Sequence, residues 1–333
     1  MFQGIRKIWK PGAYQGKARM QAYFEGWYYK LVNSTESEIV VIIPGISFGT
    51  SENNSHAFIQ LLDNTRSAST YLEFNINEFW GSSKSSGIKI GQNDFSPDKI
   101  SLNAGSREDS PNGTLSFKNI KPWPVTLLSP GAMGWYAFVP FMECYHAVLS
   151  FDHTIEGILN VNGRSIDFTG GKGYIEKDWG RSFPKYHLWL QTNHFDNPGT
   201  SLMVSIANIP WLGSYFDGFI AGFLHDNRLY RLTTYTGARL TLFNIDGDHL
   251  DIHISSDKYR IEIKITDQEG IALRAPELGK MTGRLRESQT ASAFIRLFHI
   301  DKKQEELVFQ GIGRNTGLEI AGHRDEIMSI QVH

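Results

Sequence analysis

Apolar residues along this 333-residue chain recur at every second position in short runs, and hardly anywhere at the three-to-four spacing of a helix. Val, Ile, Thr, Tyr and Phe gather in segments separated by Gly, Asn, Asp, Ser and Pro, the pattern of strands joined by turns. The first half predicts strands at Tyr23–Val32, Glu38–Ile46, His56–Asp63, Thr70–Asn75, Thr114–Lys118, Tyr145–Phe151 and Glu156–Val161. The second half predicts them at His187–Phe195, Ser201–Ile209, Gly218–Leu224, Arg228–Tyr235, Leu240–Ile245, Leu250–Ile254, Tyr259–Ile265, Ala293–Ile300 and Leu307–Gly311. Asn162-Gly163, Asp226-Asn227 and Asp246-Gly247 sit between such runs and tolerate the positive φ of a tight hairpin. Meanders without crossover helices make antiparallel sandwiches or barrels, so the expectation is an all-β chain. Gly81–Trp135 is the least patterned stretch and reads as long loops. Glycines at Phe168–Gly173 suggest a joint that divides the chain into residues 1–170 and 171–333, each of a size for one barrel around a small ligand.

Charge adds an exclusion. Lys and Arg number 33 against 35 Asp and Glu, a balance that argues against nucleic acid as a partner. Cys144 is the only cysteine, which excludes an intrachain disulfide and a cysteine-built metal site. No basic-then-apolar leader opens the chain, and Ile39–Ile43 and Leu202–Ile209 fall short of the ~20 apolar residues of a membrane helix. The expectation is a soluble cytoplasmic protein in which the sequons at Asn33, Asn53 and Asn112 are plain surface loops. The excess that needs explaining is aromatic: 21 Phe, 13 Tyr and 8 Trp.

Part of that excess lies beside ionisable groups. In Phe24-Glu25-Gly26-Trp27-Tyr28-Tyr29-Lys30 a strand puts Glu25, Trp27 and Tyr29 on one face. Glu25 is then either a protonatable acid in an aromatic cavity or a paired buried carboxylate, and Trp27 either a cavity wall or the plug of a barrel end. In Gly173-Tyr-Ile-Glu176-Lys177-Asp178-Trp179-Gly180, three ionisable residues in a row read as a loop that presents an acid or clasps two domains. His187, Trp189, Gln191 and Asn193 share a strand face whose aromatic and amide groups suit a polar head group beside apolar walls, with a solvated outer face as the alternative. Trp135–His146 is a further aromatic-acidic cluster. Gly45-Ile-Ser47-Phe-Gly49 matches a nucleophile elbow, but no helix follows it; Gly311–Gly317 lacks the helix of a dinucleotide loop.

Taken together, Phe24-Glu25-Gly26-Trp27-Tyr28, Phe79-Trp80-Gly81, Glu176-Lys177 with Trp179-Gly180, Phe183-Pro184, Trp189, Gln191, Asn193 and Leu273-Arg274-Ala275-Pro276 resemble the tocopherol cyclase family, related to carotenoid 1,2-hydratases. The departures are Asp178 and Arg181-Ser182, which bear on substrate more than on fold. The resemblance implies two consecutive lipocalin-like antiparallel β-barrels, residues 1–170 and 171–333. It implies closure of a chroman-type ring on a prenylated quinol or similar lipophilic isoprenoid, by alkene protonation and without cofactor or metal. Glu176, Asp178 and Glu25 are the candidate acids. Trp27, Tyr29, Trp179, His187, Trp189, Gln191 and Asn193 are the candidate substrate ligands. A hydratase or pericyclase on the same scaffold, and a non-catalytic carrier of a hydrophobic metabolite, are the alternatives. Peripheral membrane contact and oligomeric state stay open.

Overall fold

A computed structural model of the chain describes residues 7–16, 20–50, 54–105, 110–140, 142–211, 213–302 and 304–332, with the side chain of residue 324 left out. The leader reading at 1–6, the sequon at Asn53 and Phe141 of the aromatic cluster lie outside these residues. The protein is nearly all β. Twelve strands form the first antiparallel sheet: β1 (Tyr23–Val32), β2 (Ile39–Phe48), β3 (His56–Asp63), β4 (Ala68–Asn75), β5 (Phe79–Gly81), β6 (Ile88–Ile90), β7 (Asn93–Ser96), β8 (Lys99–Asn103), β9 (Asn112–Lys118), β10 (Cys144–Val161), β11 (Arg164–Asp167) and β12 (Lys172–Gly180). Ten form the second: β13 (His187–Thr192), β14 (Ser201–Trp211), β15 (Ser214–His225), β16 (Arg228–Thr233), β17 (Arg239–Asp246), β18 (His249–Ser255), β19 (Tyr259–Thr266), β20 (Ile271–Glu277), β21 (Lys280–Asp301) and β22 (Gln304–Ala321).

The two strand orders match. The first runs β4-β3-β2-β1-β12-β10-β9-β8-β7-β6-β5 and the second β16-β15-β14-β13-β22-β21-β19-β18-β17. Each sheet therefore opens on a four-strand meander, and the first strand of that meander pairs with the last long strand of its half. The repeated order is that of a duplicated architecture. Among the described residues neither sheet shows a ladder joining its two outermost strands, so the expected barrels are present as long antiparallel sheets without a hydrogen-bonded seam.

Hairpins fall where the turn chemistry put them: Asn162, Gly163, Asp226, Asn227 and Gly247 all have positive φ. Two readings change. Gly81–Trp135 holds β6 to β9, short strands whose Ser and Asn side chains broke the apolar alternation. Lys172–Gly180 is a strand, not a loop. It is hydrogen-bonded to β1 on one side and β10 on the other, and its three consecutive charges project alternately to two buried faces.

That strand also moves the division of the chain. One compact unit comprises Met1–Phe183 with Ile271–Arg284, the other Pro184–Gly270 with Leu285–His333. The first unit therefore takes in β12, which a division at 170/171 assigns to the other half. The core of the first unit includes Trp27, Tyr29, Leu31, Val40, Ile42, Ile59, Ile100, Leu115, Ile155 and Ile175. The core of the second includes Leu188, Leu190, Val204, Ile206, Phe223, Ile252, Ile263, Ile295 and Leu318.

Candidate functional site

Directly opposed residues of antiparallel strands project to the same face, so register decides which side chains meet. Across β1, β12 and β10 the pairs Glu25↔Trp179, Trp27↔Lys177 and Lys177↔Ala147 belong to the core side. The pairs Tyr28↔Glu176, Gly26↔Asp178, Val148↔Glu176 and His146↔Asp178 belong to the other. The candidate residues of the first unit thus separate. Glu25, Trp27, Tyr29 and Trp179 lie on one side of the sheet; Glu176 and Asp178 lie on the other.

The core side is filled by paired and packed groups. Glu25 is fully buried, is paired with the Lys177 ammonium at 2.6 Å, and accepts from the Gln15 and Gly16 amides and the Tyr23 hydroxyl. Lys177 also donates to the carbonyls of Pro11 (2.9 Å) and Ala13 (2.6 Å). Its Nζ stands 4.8 Å from the Trp27 ring centre and 4.5 Å from that of Trp179. Burial pushes the Lys177 pKa down to about 8, against the pull of Glu25. Trp27 Nε1 donates to the Gly12 carbonyl, and Tyr29 is packed in the core beside Phe95 and Phe117. Glu25 is thus a paired buried carboxylate, and Trp27 is part of the core cluster.

The opposite side gathers acids around a histidine. His146 Nδ1 is 2.9 Å from Asp178 Oδ1, and its Nε2 is 3.7 Å from Glu176 Oε2. The Tyr174 hydroxyl donates to Glu176 Oε2 at 2.5 Å, and the Cys144 thiol lies 3.9 Å from Asp178 Oδ1. Burial opposes the imidazolium, but the Asp178 and Glu176 carboxylates outweigh it and hold the His146 pKa up at about 9. Burial first, and Glu176 second, push the Tyr174 phenol well above its usual range; burial and Asp178 do the same to the Cys144 thiol. Cys144 is therefore held as a thiol, not a nucleophilic thiolate. Phe24 and Tyr28 are buried on this face outside the core cluster. His146, Glu176 and Asp178 each offer a ligand atom within 4.8 Å of the others, a spacing that can hold a metal ion as well as a proton.

In the second unit His187, Trp189 and Gln191 occupy one face of β13, as alternation predicted, and all are buried. Asn193 follows the end of that strand and is buried too. The face is not solvated. It also carries Glu319 and Gly317 of β22 and Ser205 and Met203 of β14, by register. His187 Nε2 bonds Glu319, a partner that sequence reading did not single out. Nor did it single out His146 as the group between the two acids. The segment Cys144-Tyr145-His146 stood out as acidic and aromatic, but only the pairing of β10 with β12 sets His146 opposite Asp178.

The other motifs resolve structurally. Ser47 lies within β2 and donates to the Gly279 carbonyl, and Gly311–Gly317 lies within β22. Arg274 exchanges backbone hydrogen bonds with the Gln60 amide and sits 4.0 Å from the Tyr71 ring centre. No helix of the described residues is long and apolar enough to cross a membrane.

A family model described as tocopherol cyclase-like matches residues 114–322, a span that includes His146, Glu176, Asp178, His187 and Glu319. A probable chloroplastic tocopherol cyclase of Oryza sativa subsp. japonica is 25% identical over 159 residues, 46% of this chain and 34% of that protein. A chloroplastic tocopherol cyclase of Zea mays is 27% identical over 158 residues, 44% of this chain and 31% of that protein. The matched stretch thus spans about a third of the length of these curated relatives. The crystal structure of CghA with Sch210972 superposes with a TM-score of 0.54 at 10% identity, over 90% of this chain and 88% of that one. At that identity the likeness is one of fold.

Proposed function

Because the chain belongs to the tocopherol cyclase-like family, we propose that it is a cofactor-independent cyclase that protonates the alkene of a lipophilic isoprenoid and closes a chroman-type ring on a prenylated quinol. The observation that carries this reading is the placing of His146 between two carboxylates, 2.9 Å from Asp178 and 3.7 Å from Glu176, whose charges favour a bound proton. Glu176 is the proposed donor to the alkene. Asp178 holds the imidazole through Nδ1, and His146 reloads Glu176 through Nε2. The alkene carbon gains a proton, the tertiary cation is captured by the quinol oxygen, and the phenolic proton returns to the cluster. The sum is an isomerisation with no co-reactant. Phe24 and Tyr28, on the same face, offer ring faces to the cation, a contact worth ~2 kcal/mol when desolvated. Trp27 and Trp179 already face the Lys177 ammonium, so this proposal leaves them, with Glu25 and Tyr29, to the core side of the sheet. The ligand role of His187, Trp189, Gln191 and Asn193 belongs to the second unit's own face.

A hydratase is the second reading. The Asp178 side chain keeps 22% of its exposure, so water reaches the cluster, and a cation captured by water would leave as an alcohol. One experiment separates these outcomes. The full chain is incubated in D2O with trimethylhydroquinone bearing a geranyl chain, and the products are resolved by liquid chromatography and mass spectrometry. A cyclase gives an isomer carrying one non-exchangeable deuterium; a hydratase gives a product heavier by one water. Glu176→Gln is expected to lower turnover by about 10²–10⁴-fold. Bound but unreacted quinol would leave the carrier, and full turnover in a Glu176→Gln, Asp178→Asn double variant would sink the residue assignment. A cytoplasmic location, with substrate drawn from a membrane by peripheral contact, is part of the proposal and is checked by cell fractionation.

A further inference from the structure

One exposed apolar surface of the first unit has no part in the proposed reaction. Leu127 and Leu128 stand at the tip of a turn, 75% and 78% exposed, with Val125 exposed beside them. The turn is held in shape. Val125 pairs with Pro130, the Thr126 amide donates to the Ser129 carbonyl at 3.0 Å, and the Ser129 amide donates to the Thr126 hydroxyl at 3.1 Å. Just before it, Trp123 is buried and stacked on Phe151, so the turn is rooted in packed structure while its leucines stay in water. Trp9 and Phe138 extend the surface. Trp9 Nε1 donates to the Leu127 carbonyl at 3.0 Å, and its ring meets Phe138 edge-on with centres 5.5 Å apart. Trp135 and Phe138 lie three residues apart in the 3₁₀ helix Gly134–Phe138, which sets both exposed rings on one side of it. Charge narrows the choice of partner. Residues 7–16 and 121–140 carry Lys7, Lys10 and Lys121 and no acid, on a chain whose net charge is −2. Lys10 Nζ donates to the Lys84 carbonyl, which brings a further basic segment alongside.

We infer that this surface docks the protein on an anionic lipid bilayer. Leu127 and Leu128 enter the headgroup boundary, Trp9, Trp135 and Phe138 lie along it, and Lys10, Lys84 and Lys121 meet the headgroups. Two adjacent leucines held in water gain by entering an apolar phase, indole rings favour the interface between water and hydrocarbon, and lysines are drawn to negative headgroups. The same features count against a second copy of the chain as the occupant. A two-fold pairing of this surface would bring lysines together with no acid to balance them. The surface is also tied to the strand of the acid cluster: Tyr145, next to His146 in β10, donates to the Val139 carbonyl at 2.7 Å. The docking rests on the surface alone, whereas its use in drawing substrate from the bilayer rests on the cyclase reading.

The test is flotation of the full chain with vesicles of phosphatidylcholine containing about 30% phosphatidylglycerol, against vesicles of phosphatidylcholine alone. Wild type is expected to float with the anionic vesicles, to shift its tryptophan emission to the blue, and to bind the neutral ones at least about tenfold more weakly. Leu127→Ser with Leu128→Ser should lower the partition coefficient at least about tenfold. Both residues are exposed, so this variant should keep the wild-type circular dichroism. Lys10→Gln, Lys84→Gln and Lys121→Gln together should weaken binding to anionic vesicles at least about tenfold and leave neutral ones unaffected. Wild type that stays out of the floated fraction, or a leucine variant that floats as well as wild type, overturns the docking surface. A lysine variant that binds anionic vesicles like wild type overturns the choice of an anionic bilayer. Self-association that the leucine variant abolishes, with no flotation of wild type, would make the surface an interface between copies and overturns the lipid reading. Flotation needs no turnover, so failure of the cyclase reading leaves its result intact. The leucine variant should in turn keep its turnover of the geranyl quinol dispersed in detergent, so failure of docking leaves the deuterium experiment standing.

Discussion

His146 and His153 belong to one strand and respond to pH in opposite senses. His146, between two carboxylates, has a folded pKa of about 9, above the ordinary value of 6.5. Its contribution to stability is therefore complete below 6.5 and is lost as pH rises through 9. His153 is buried against Phe117, with Ser150 at 3.0 Å from Nδ1, and burial alone pushes its pKa down to about 3. Its contribution is present above 6.5 and is lost as pH falls towards 3. Urea unfolding across pH should show both limbs, at a slope of about 1 kcal/mol per pH unit for one proton. His146→Gln should flatten the alkaline limb and His153→Met the acid one; equal slopes in wild type and variants would contradict these environments. The Glu25–Lys177 pair predicts differently. With both side chains fully buried, Lys177→Met strands a carboxylate and should cost about 3–5 kcal/mol, part of which returns when Glu25→Gln is added. Thermal melts of the single and double variants measure the recovery.

Elements explain why some of this was readable. Runs such as Tyr23–Val32 and His187–Thr192 alternate or are apolar throughout, and the strands fall there. The charged Glu176-Lys177-Asp178 defeated the same reading, because period-two patterning presumes one polar face and this strand buries both. The β20–β21 hairpin was likewise seen only as a family-like Leu273–Pro276 motif. Its tip, Leu278-Gly279, has positive φ at both residues, and the Gly279 amide donates to the Arg181 carbonyl at 2.7 Å. A Cβ on Gly279 would stand 2.3 Å from the Phe48 oxygen and the Tyr23 nitrogen, backbone atoms that do not yield. Gly279→Ala should therefore destabilise the protein by roughly 2–4 kcal/mol, from backbone strain and overlap together. Proteolysis at the loosened hairpin would report it, and a variant as resistant as wild type would not be compatible with this seat.

The whole molecule turns on β12, the strand between β1 and β10. A chain ending at residue 170 lacks it and should show no cooperative unfolding by circular dichroism. A chain ending at Phe183 keeps all twelve strands of the first sheet and should melt cooperatively, below the full protein because the Ile271–Arg284 hairpin is missing. Turnover of the full chain is expected to survive dialysis against a chelator. Loss of turnover that added Zn²⁺ or Mg²⁺ restores would shift the Glu176–His146–Asp178 cluster from proton to metal chemistry. By itself the sequence determined the all-β class, the positions of the central strands and hairpins, and the family, because alternation, turn chemistry and Trp-Gly motifs are local. It also marked Glu176, Asp178, His187, Trp189 and Gln191 as residues of interest. Only the tertiary structure decided their company: Glu25 and the two tryptophans with Lys177, Glu176 and Asp178 with His146, His187 with Glu319. A strand's sequence says which residues share its face, but the register with its neighbours, set by residues far along the chain, says which of those faces meet.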